Sequence, residues 1–77
     1  MYQRRLDISF HGRPGDPLDI AAHNVVKRFG GKVVAGGTFI PSGVRDLEAH
    51  LHEDKWLACS AELQQHGCTV LVTHLSN

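Results

Sequence analysis

The segment KVVAGGTFIPSGVRDLEAHLH, residues 32–52, decides the fold. Its first half is rich in the β-branched and aromatic residues typical of strands, and Gly36-Gly37 favours a bulge or the close approach of another backbone. Its second half alternates apolar and polar residues, and Pro41-Ser42-Gly43 joins the two halves. Two such runs around a short turn predict a β-hairpin of strands Lys32–Ile40 and Val44–His52.

The residues before the hairpin predict a strand and a helix. Arg4–Phe10 alternates between apolar and polar side chains, as a half-buried strand does. The helix is expected to begin after Asp16, whose carboxylate would accept hydrogen bonds from the first free amides, with Pro17 at the first helical position. Apolar residues then recur at spacings of three and four as far as Phe29, and Gly30-Gly31 ends the helix.

The residues after the hairpin predict a second helix and a last strand. Glu53-Asp54 can cap a helix over Lys55–His66, which Gly67 ends, and Cys68–Leu75 then reads as a strand. The order is βαββαβ. In a short chain this order usually gives a four-stranded antiparallel sheet, in the order 4-1-3-2, with both helices on one face. The sequence therefore predicts one α+β domain of the ferredoxin-like type over residues 1–77.

This arrangement divides the side chains between a core and an open sheet face. The positions expected in the core are Leu6, Ile8, Phe10, Leu18, Ala22, Val25, Phe29, Val33, Phe39, Leu47, Ala49, Leu51, Trp56, Leu63, Val70 and Val72. The positions expected on the open face are Arg5, Asp7, Ser9, His11, Thr38, Asp46, Glu48, His50 and His52. In the second strand, which lies at a sheet edge, Val34, Thr38 and Ile40 are expected to face outward.

Composition and charge disfavour several classes of protein. Eight Lys and Arg residues balance eight Asp and Glu residues, whereas a nucleic-acid binder normally carries a basic excess. No apolar run approaches the ~20 residues of a membrane span. Two cysteines do not make a disulfide framework, and Met1–Leu6 lacks the features of a signal peptide. The sequence predicts a cytosolic protein with both thiols reduced and no cofactor.

The histidines are the first candidate site. His50 and His52 lie two residues apart on a predicted strand and therefore point the same way, and His11 ends the first strand. Imidazole binds Zn, Ni or Cu, but a site needs three or four ligands, and spacing fixes no further one here. Solvated surface histidines are the simpler interpretation, and a metal site at these three residues is the alternative.

The loop from His11 to Asp16 is the second candidate site. It leads into a helix N-terminus, where free amides and the helix dipole favour anions. This makes Arg13, Gly15 and Asp16 candidate ligand-binding residues. Because Asp16 as a helix cap would occupy those amides, a plain turn is the simpler interpretation.

The Arg13-Pro14-Gly15 turn, together with the βαββαβ order, resembles the small-molecule-binding ACT domains of metabolic regulators, which carry a similar Asp-x-Pro-Gly turn. The resemblance implies an amino-acid ligand near this turn, at an interface between paired domains. The chain departs from that family in two ways: the acidic residue before the turn is missing, and the helix begins later, after Asp16-Pro17.

No residues form a pattern that predicts catalysis, because no motif joins the serines, histidines and carboxylates to one pocket. RNA-recognition modules share the fold, but they stack bases on exposed aromatic residues of the central strands. Here the outward positions of those strands hold Asp7, Ser9, Glu48 and His50 instead. An enzyme and an RNA-binding module are therefore both disfavoured.

The leading hypothesis is a protein-binding or regulatory module that acts through its sheet face or an edge strand. Its partner would be another protein or a second copy of the chain. The candidate interaction residues are Asp7, Ser9, Thr38, Ile40 and Glu48. Two alternatives stay open: a small-ligand or metal sensor that uses the His11–Asp16 loop with His50 and His52, and an inhibitor of a host protein encoded by a phage or mobile element.

Overall fold

The computed structural model describes residues 2–75. The six elements are β1 (Arg4–His11), α1 (Pro17–Arg28), β2 (Lys32–Phe39), β3 (Val44–Leu51), α2 (Trp56–Gln65) and β4 (Thr69–His74). The strands form one antiparallel sheet in the order β2-β3-β1-β4, which confirms the ferredoxin-like βαββαβ prediction. The two edges of the sheet are therefore β2 and β4. No helix in this part of the chain is long and apolar enough to cross a membrane.

The start of α1 corrects the expected role of Asp16. Asp16 is the N-cap residue, but its side chain makes no hydrogen bond to the helix. A tight turn brings its carboxylate back onto the loop: the Asp16 N–H donates to the Arg13 carbonyl at 3.1 Å, and Asp16 Oδ2 accepts the Arg13 N–H at 2.8 Å. The expected capping by Glu53-Asp54 is also absent, since the N-cap residue of α2 is Lys55 and no side chain caps that helix.

The core lies between the sheet and the two helices. Its buried apolar residues are Leu6, Ile8, Phe10, Ala22, Val25, Val26, Leu47, Ala49, Leu51, Cys59, Leu63 and Cys68. Five more of the expected residues are half-buried against it: Leu18, Phe29, Val33, Trp56 and Val70. The core positions expected for Phe39 and Val72 are wrong, because both side chains are exposed.

A β-bulge in β2 explains the error at Phe39. The register between β2 and β3 shifts between Val33 and Ala35, which leaves Val34 as an extra residue. Because side chains alternate between the faces of a sheet, one extra residue moves every later side chain to the opposite face. Thr38 therefore faces the helices and Phe39 faces the open side. The expected outward orientation of Thr38 is wrong for the same reason.

Gly31 marks a close approach between the α1–β2 connection and β3. A Cβ atom there would lie 2.8 Å from Leu51 Cγ and 2.9 Å from the His50 carbonyl oxygen. Since backbone cannot move aside cheaply, we expect Gly31→Ala to lower the free energy of unfolding by about 1–3 kcal/mol. The control is Gly37→Ala, where a Cβ would meet nothing within 4 Å. Urea denaturation of both variants measures the difference, and equal stabilities would contradict the prediction.

Candidate functional site

A buried ion pair fastens the β1–α1 loop to the sheet. Asp19, in the first turn of α1, is buried. Its Oδ2 accepts the Gly15 N–H at 2.8 Å, and its Oδ1 accepts Nε–H of Arg45 on β3 at 2.8 Å. Burial raises the pKa of Asp19, but the hydrogen bonds from Gly15 and Arg45 and the charge of Arg45 outweigh it and hold that pKa below its ordinary value.

The three predicted ligand-binding residues mainly hold the loop in shape. The amides of Arg13 and Gly15 each donate to an aspartate carboxylate at 2.8 Å, with Asp16 accepting from Arg13. An apolar depression of about 510 Å³ lies beside the loop, and Arg13, Thr38 and Ile40 are among the residues that line it. The structure thus brings one predicted ligand residue together with two predicted interaction residues. The amides of Arg13, Gly15 and Asp16 already donate within the loop and to Asp19.

The open sheet face carries a charge network. Asp7 on β1 lies opposite Glu48 on β3. The guanidinium of Arg5 donates to Asp7 Oδ1 at 3.0 Å and lies 3.4 Å from Glu48 Oε1. Ser9 lies further along the same face, and a depression of about 340 Å³ opens beside the network over residues 35–37. One guanidinium contacts both carboxylates on an exposed sheet face, and this network does not by itself indicate a ligand.

The three histidines expected to share a metal do not come together. His11 and His50 lie at opposite ends of the β1–β3 ladder, six residues apart in its register, or about 20 Å. His50 Nε2 lies 3.0 Å from Glu48 Oε2, and the ring of Tyr2 stacks on that of His52 with centroids 4.7 Å apart. Within residues 2–75, no group of three or more His, Cys, Asp or Glu side chains is arranged to hold a metal ion.

The two sheet edges differ in how open they are to another strand. The β2 edge begins with Lys32 and is interrupted by the bulge at Val34, and both features discourage strand pairing. The other edge strand, β4 (TVLVTH), has no bulge, proline, lysine or acidic residue and pairs with β1 without a register shift. Leu71 on its open face is 66% exposed and Val72 on its helix side is 39% exposed. These are the features of a strand-pairing surface.

The ladder between β1 and β4 shows which backbone groups face outward. The Gly12 N–H donates to the Gly43 carbonyl at 3.0 Å, in line with the β1–β3 register, so the even-numbered residues of β1 bond to β3 and the odd-numbered ones bond to β4. The Leu75 N–H, which donates to the Gln3 carbonyl at 2.9 Å, agrees with this. Hydrogen-bonded and non-bonded pairs alternate along an antiparallel ladder, so the odd-numbered residues of β4 bond to β1. Val70, Val72 and His74 therefore direct their N–H and C=O groups away from the sheet. No further strand of residues 2–75 lies beyond them.

Helix α2 adds an apolar side chain at the same edge. Glu62 pairs with Arg28 of α1 and so marks the side of α2 that faces α1. Leu57 lies five residues earlier, about 140° around the helix, on a flank turned away from α1. Because α2 contacts β4 and β1, that flank overhangs the β4 side of the sheet. Leu57 is 67% exposed there.

Arg4 shows which end of β4 lies under the start of α2. Its guanidinium lies 5.4 Å from the centroid of the Trp56 ring, and its Nη1 lies 2.5 Å from His74 Nδ1. Leu57, the next residue of α2, is therefore near the His74 end of β4. The helix does not cover the outer strand fully, which is why Val72 is exposed although it faces the helix side as expected. We call the outward backbone of β4, together with the exposed side chains of Leu57, Leu71 and Val72, the β4 edge.

Comparison with protein-family models, with curated proteins and with solved structures found no match. The interpretation of the β4 edge as a binding surface therefore rests on geometry alone.

None of the expected interaction residues belongs to the β4 edge. Two features of the sequence nevertheless indicate an uncharged edge strand: residues 69–73 carry no charge, and the strand order 4-1-3-2 places the last strand at an edge. The core position expected for Val72 leaves this exposed side of the strand out of the prediction.

Proposed function

We propose that the chain is a non-enzymatic protein-binding module that accepts an extended segment of a partner along the β4 edge. The observation that carries the proposal is the row of outward backbone groups at Val70, Val72 and His74 on an unbulged strand. Main-chain hydrogen bonds would supply the affinity, at about 0.5–1.5 kcal/mol each. Side chains on the two faces of the strand would supply the selectivity.

The exposed side chains define the chemistry of a suitable partner. One side of an added strand would pack beside Leu71 on the open face, and the other side would pack against Val72 and Leu57 under α2. Neither residues 69–73 nor Leu57 carry a charge. A charged side chain at the centre of the partner segment would therefore lose solvation without gaining an ion pair. The expected partner is an extended apolar or β-branched segment.

The test compares Leu71→Lys with Phe39→Lys. The two side chains lie on the same sheet face at opposite edges and are 66% and 63% exposed, so the substitutions are matched. We expect Leu71→Lys to reduce recovery of the binding protein from nuclease-treated native lysate at least tenfold, because edge lysines oppose strand addition. Phe39→Lys should bind like the wild type. Equal recovery by both variants would contradict the proposal, and loss in Phe39→Lys alone would transfer binding to the β2 edge.

Val72→Pro tests the backbone separately from the side chains. Since the Val72 N–H faces outward, proline there removes a donor for an added strand without removing a β1–β4 hydrogen bond. We expect the same loss of binding as in Leu71→Lys. Circular dichroism checks that both variants remain folded. Full binding by a folded Val72→Pro variant would exclude strand addition at this edge.

A further inference from the structure

β4 is chemically suited to pair with a copy of itself. Residues 69–73 carry no charge, so two antiparallel copies place no like charges opposite each other, an arrangement that destabilises strand pairs. Val70 and Val72 are β-branched, and such residues pack well across neighbouring strands. The strand is also regular, because its pairing with β1 has no bulge.

The outward backbone groups select one register. In a two-fold antiparallel pair centred on Val72, Val72 lies opposite its own copy and Val70 lies opposite His74. All three residues then use both outward groups, which gives about six hydrogen bonds. Centring on Leu71 would instead place His74 opposite Cys68, whose N–H already donates to the Leu63 carbonyl at 3.1 Å. The Val72 register satisfies more of the exposed backbone.

The same register also buries the exposed side chains. On the helix side, Val72 meets its own copy with Leu57 beside it. On the open face, Leu71 lies beside Thr73 of the second copy, and apolar and β-branched neighbours of this kind stabilise strand pairs. A two-fold axis uses both β4 edges at once and closes the assembly at two copies. The remaining edges are the bulged β2 strands, each beginning with Lys32.

We infer that the strand accepted by the β4 edge is β4 of a second copy of this chain, paired about a two-fold axis through Val72. The two sheets then form one eight-stranded antiparallel sheet. This inference rests on the proposed function of the β4 edge and names its partner.

Charge variants at Val72 test the position of the two-fold axis, because a residue beside the axis faces the same residue of the second copy. We expect Val72→Lys and Val72→Glu each to weaken self-association at least tenfold in sedimentation equilibrium, since each places like charges opposite each other. An equimolar mixture of the two should restore the dimer. Phe39→Lys is the control and should associate like the wild type. A mixture that stays monomeric would overturn the axis at Val72.

Variants with one added cysteine test the register without adding charge. Residues opposite each other in a hydrogen-bonded pair have Cα atoms about 5.5 Å apart, within the range of a disulfide. Val72→Cys should therefore form an interchain disulfide under mild oxidation, and Leu71→Cys should not. The wild type, with Cys59 and Cys68 buried, measures the background. A disulfide in Leu71→Cys but not in Val72→Cys would overturn the register.

Failure of this inference can be separated from failure of the proposed function. A wild-type chain that stays monomeric up to about 1 mM, where even weak interfaces associate, would overturn self-pairing. Binding of another protein that is lost in Leu71→Lys and kept in Phe39→Lys would then still support the β4 edge. If Leu71→Lys keeps both the binding of another protein and self-association, the inference and the proposed function are both wrong.

Discussion

Asp19→Ala is expected to lower the free energy of unfolding by about 3 kcal/mol, the lower end of the range for breaking a buried ion pair. The substitution leaves the guanidinium of Arg45 without its carboxylate, although only 12% of the Arg45 side chain is exposed. It also removes the acceptor of the Gly15 N–H. A domain of this size has a total stability of about 5 kcal/mol, so the variant should lose most of its free energy of unfolding.

Asp16→Ala is the matched control for Asp19→Ala. Asp16 is also an aspartate that accepts a loop amide at 2.8 Å, but its hydrogen bond to Arg13 is exposed. We expect a loss of about 1 kcal/mol or less. Urea denaturation followed by the fluorescence of Trp56 measures both variants. Similar losses in the two would mean that the contact of Asp19 with Arg45 adds nothing to stability.

The same ion pair predicts how stability depends on pH. The folded pKa of Asp19 lies below its unfolded value, which is about 3.9. Its contribution is therefore fully present above that unfolded value and is lost as the pH falls through the folded pKa. His23, whose Nδ1 lies 3.5 Å from Asp19 Oδ1, also faces the carboxylate. Asp19→Asn should lack this acid-dependent component in urea titrations between about pH 5 and pH 2, while keeping the rest of the wild-type profile.

The order of elements could be predicted from the sequence, because each segment has its own periodicity and its own Gly or Pro boundary. The orientation of the end of β2 could not. Strand periodicity assumes an unbroken register, and the extra residue Val34 moved Thr38 and Phe39 to the opposite faces. The adjacent pair Gly36-Gly37 favoured an irregularity in this strand, but glycines do not show which residue forms it.

The contact of Asp19 with Arg45 could not be predicted either. The two residues are 26 positions apart, and with eight cations and eight anions in the chain no pattern selects this pair. Alternation along β3 puts Arg45 on the same side as Leu47, but only the folded arrangement brings it to the first turn of α1. Local rules favoured Asp16 as the helix cap. In the structure the turn brings that carboxylate back to Arg13 instead.

Cys59 is expected to react with iodoacetamide at least about 100-fold more slowly than an exposed thiol at pH 8, and Cys68 is expected to react more slowly than an exposed thiol as well. Burial raises the pKa of Cys59 to about 11, against the weaker opposing effect of the Arg28 charge, and burial also raises the pKa of Cys68. The thiolate is the nucleophile. A thiol with a pKa near 11 is ionised to only about 0.1% at pH 8, roughly 100-fold less than an ordinary thiol. Both side chains are also buried, so the reagent must wait for the protein to open.

Ala58→Cys is the matched reference for this measurement, because it adds an exposed thiol beside Cys59 on the same helix. Mass spectrometry should find this introduced thiol alkylated long before Cys59 and Cys68, and all three thiols alkylated equally fast in urea. Because labelling of buried thiols follows the opened population, adding Asp19→Ala should speed alkylation of Cys59 by roughly 100-fold, the factor that corresponds to about 3 kcal/mol. Fast labelling of Cys59 in the native chain would mean that α2 opens locally, without loss of the sheet. If Asp19→Ala leaves the labelling rate unchanged, the ion pair on α1 and the packing of α2 belong to separate cooperative units.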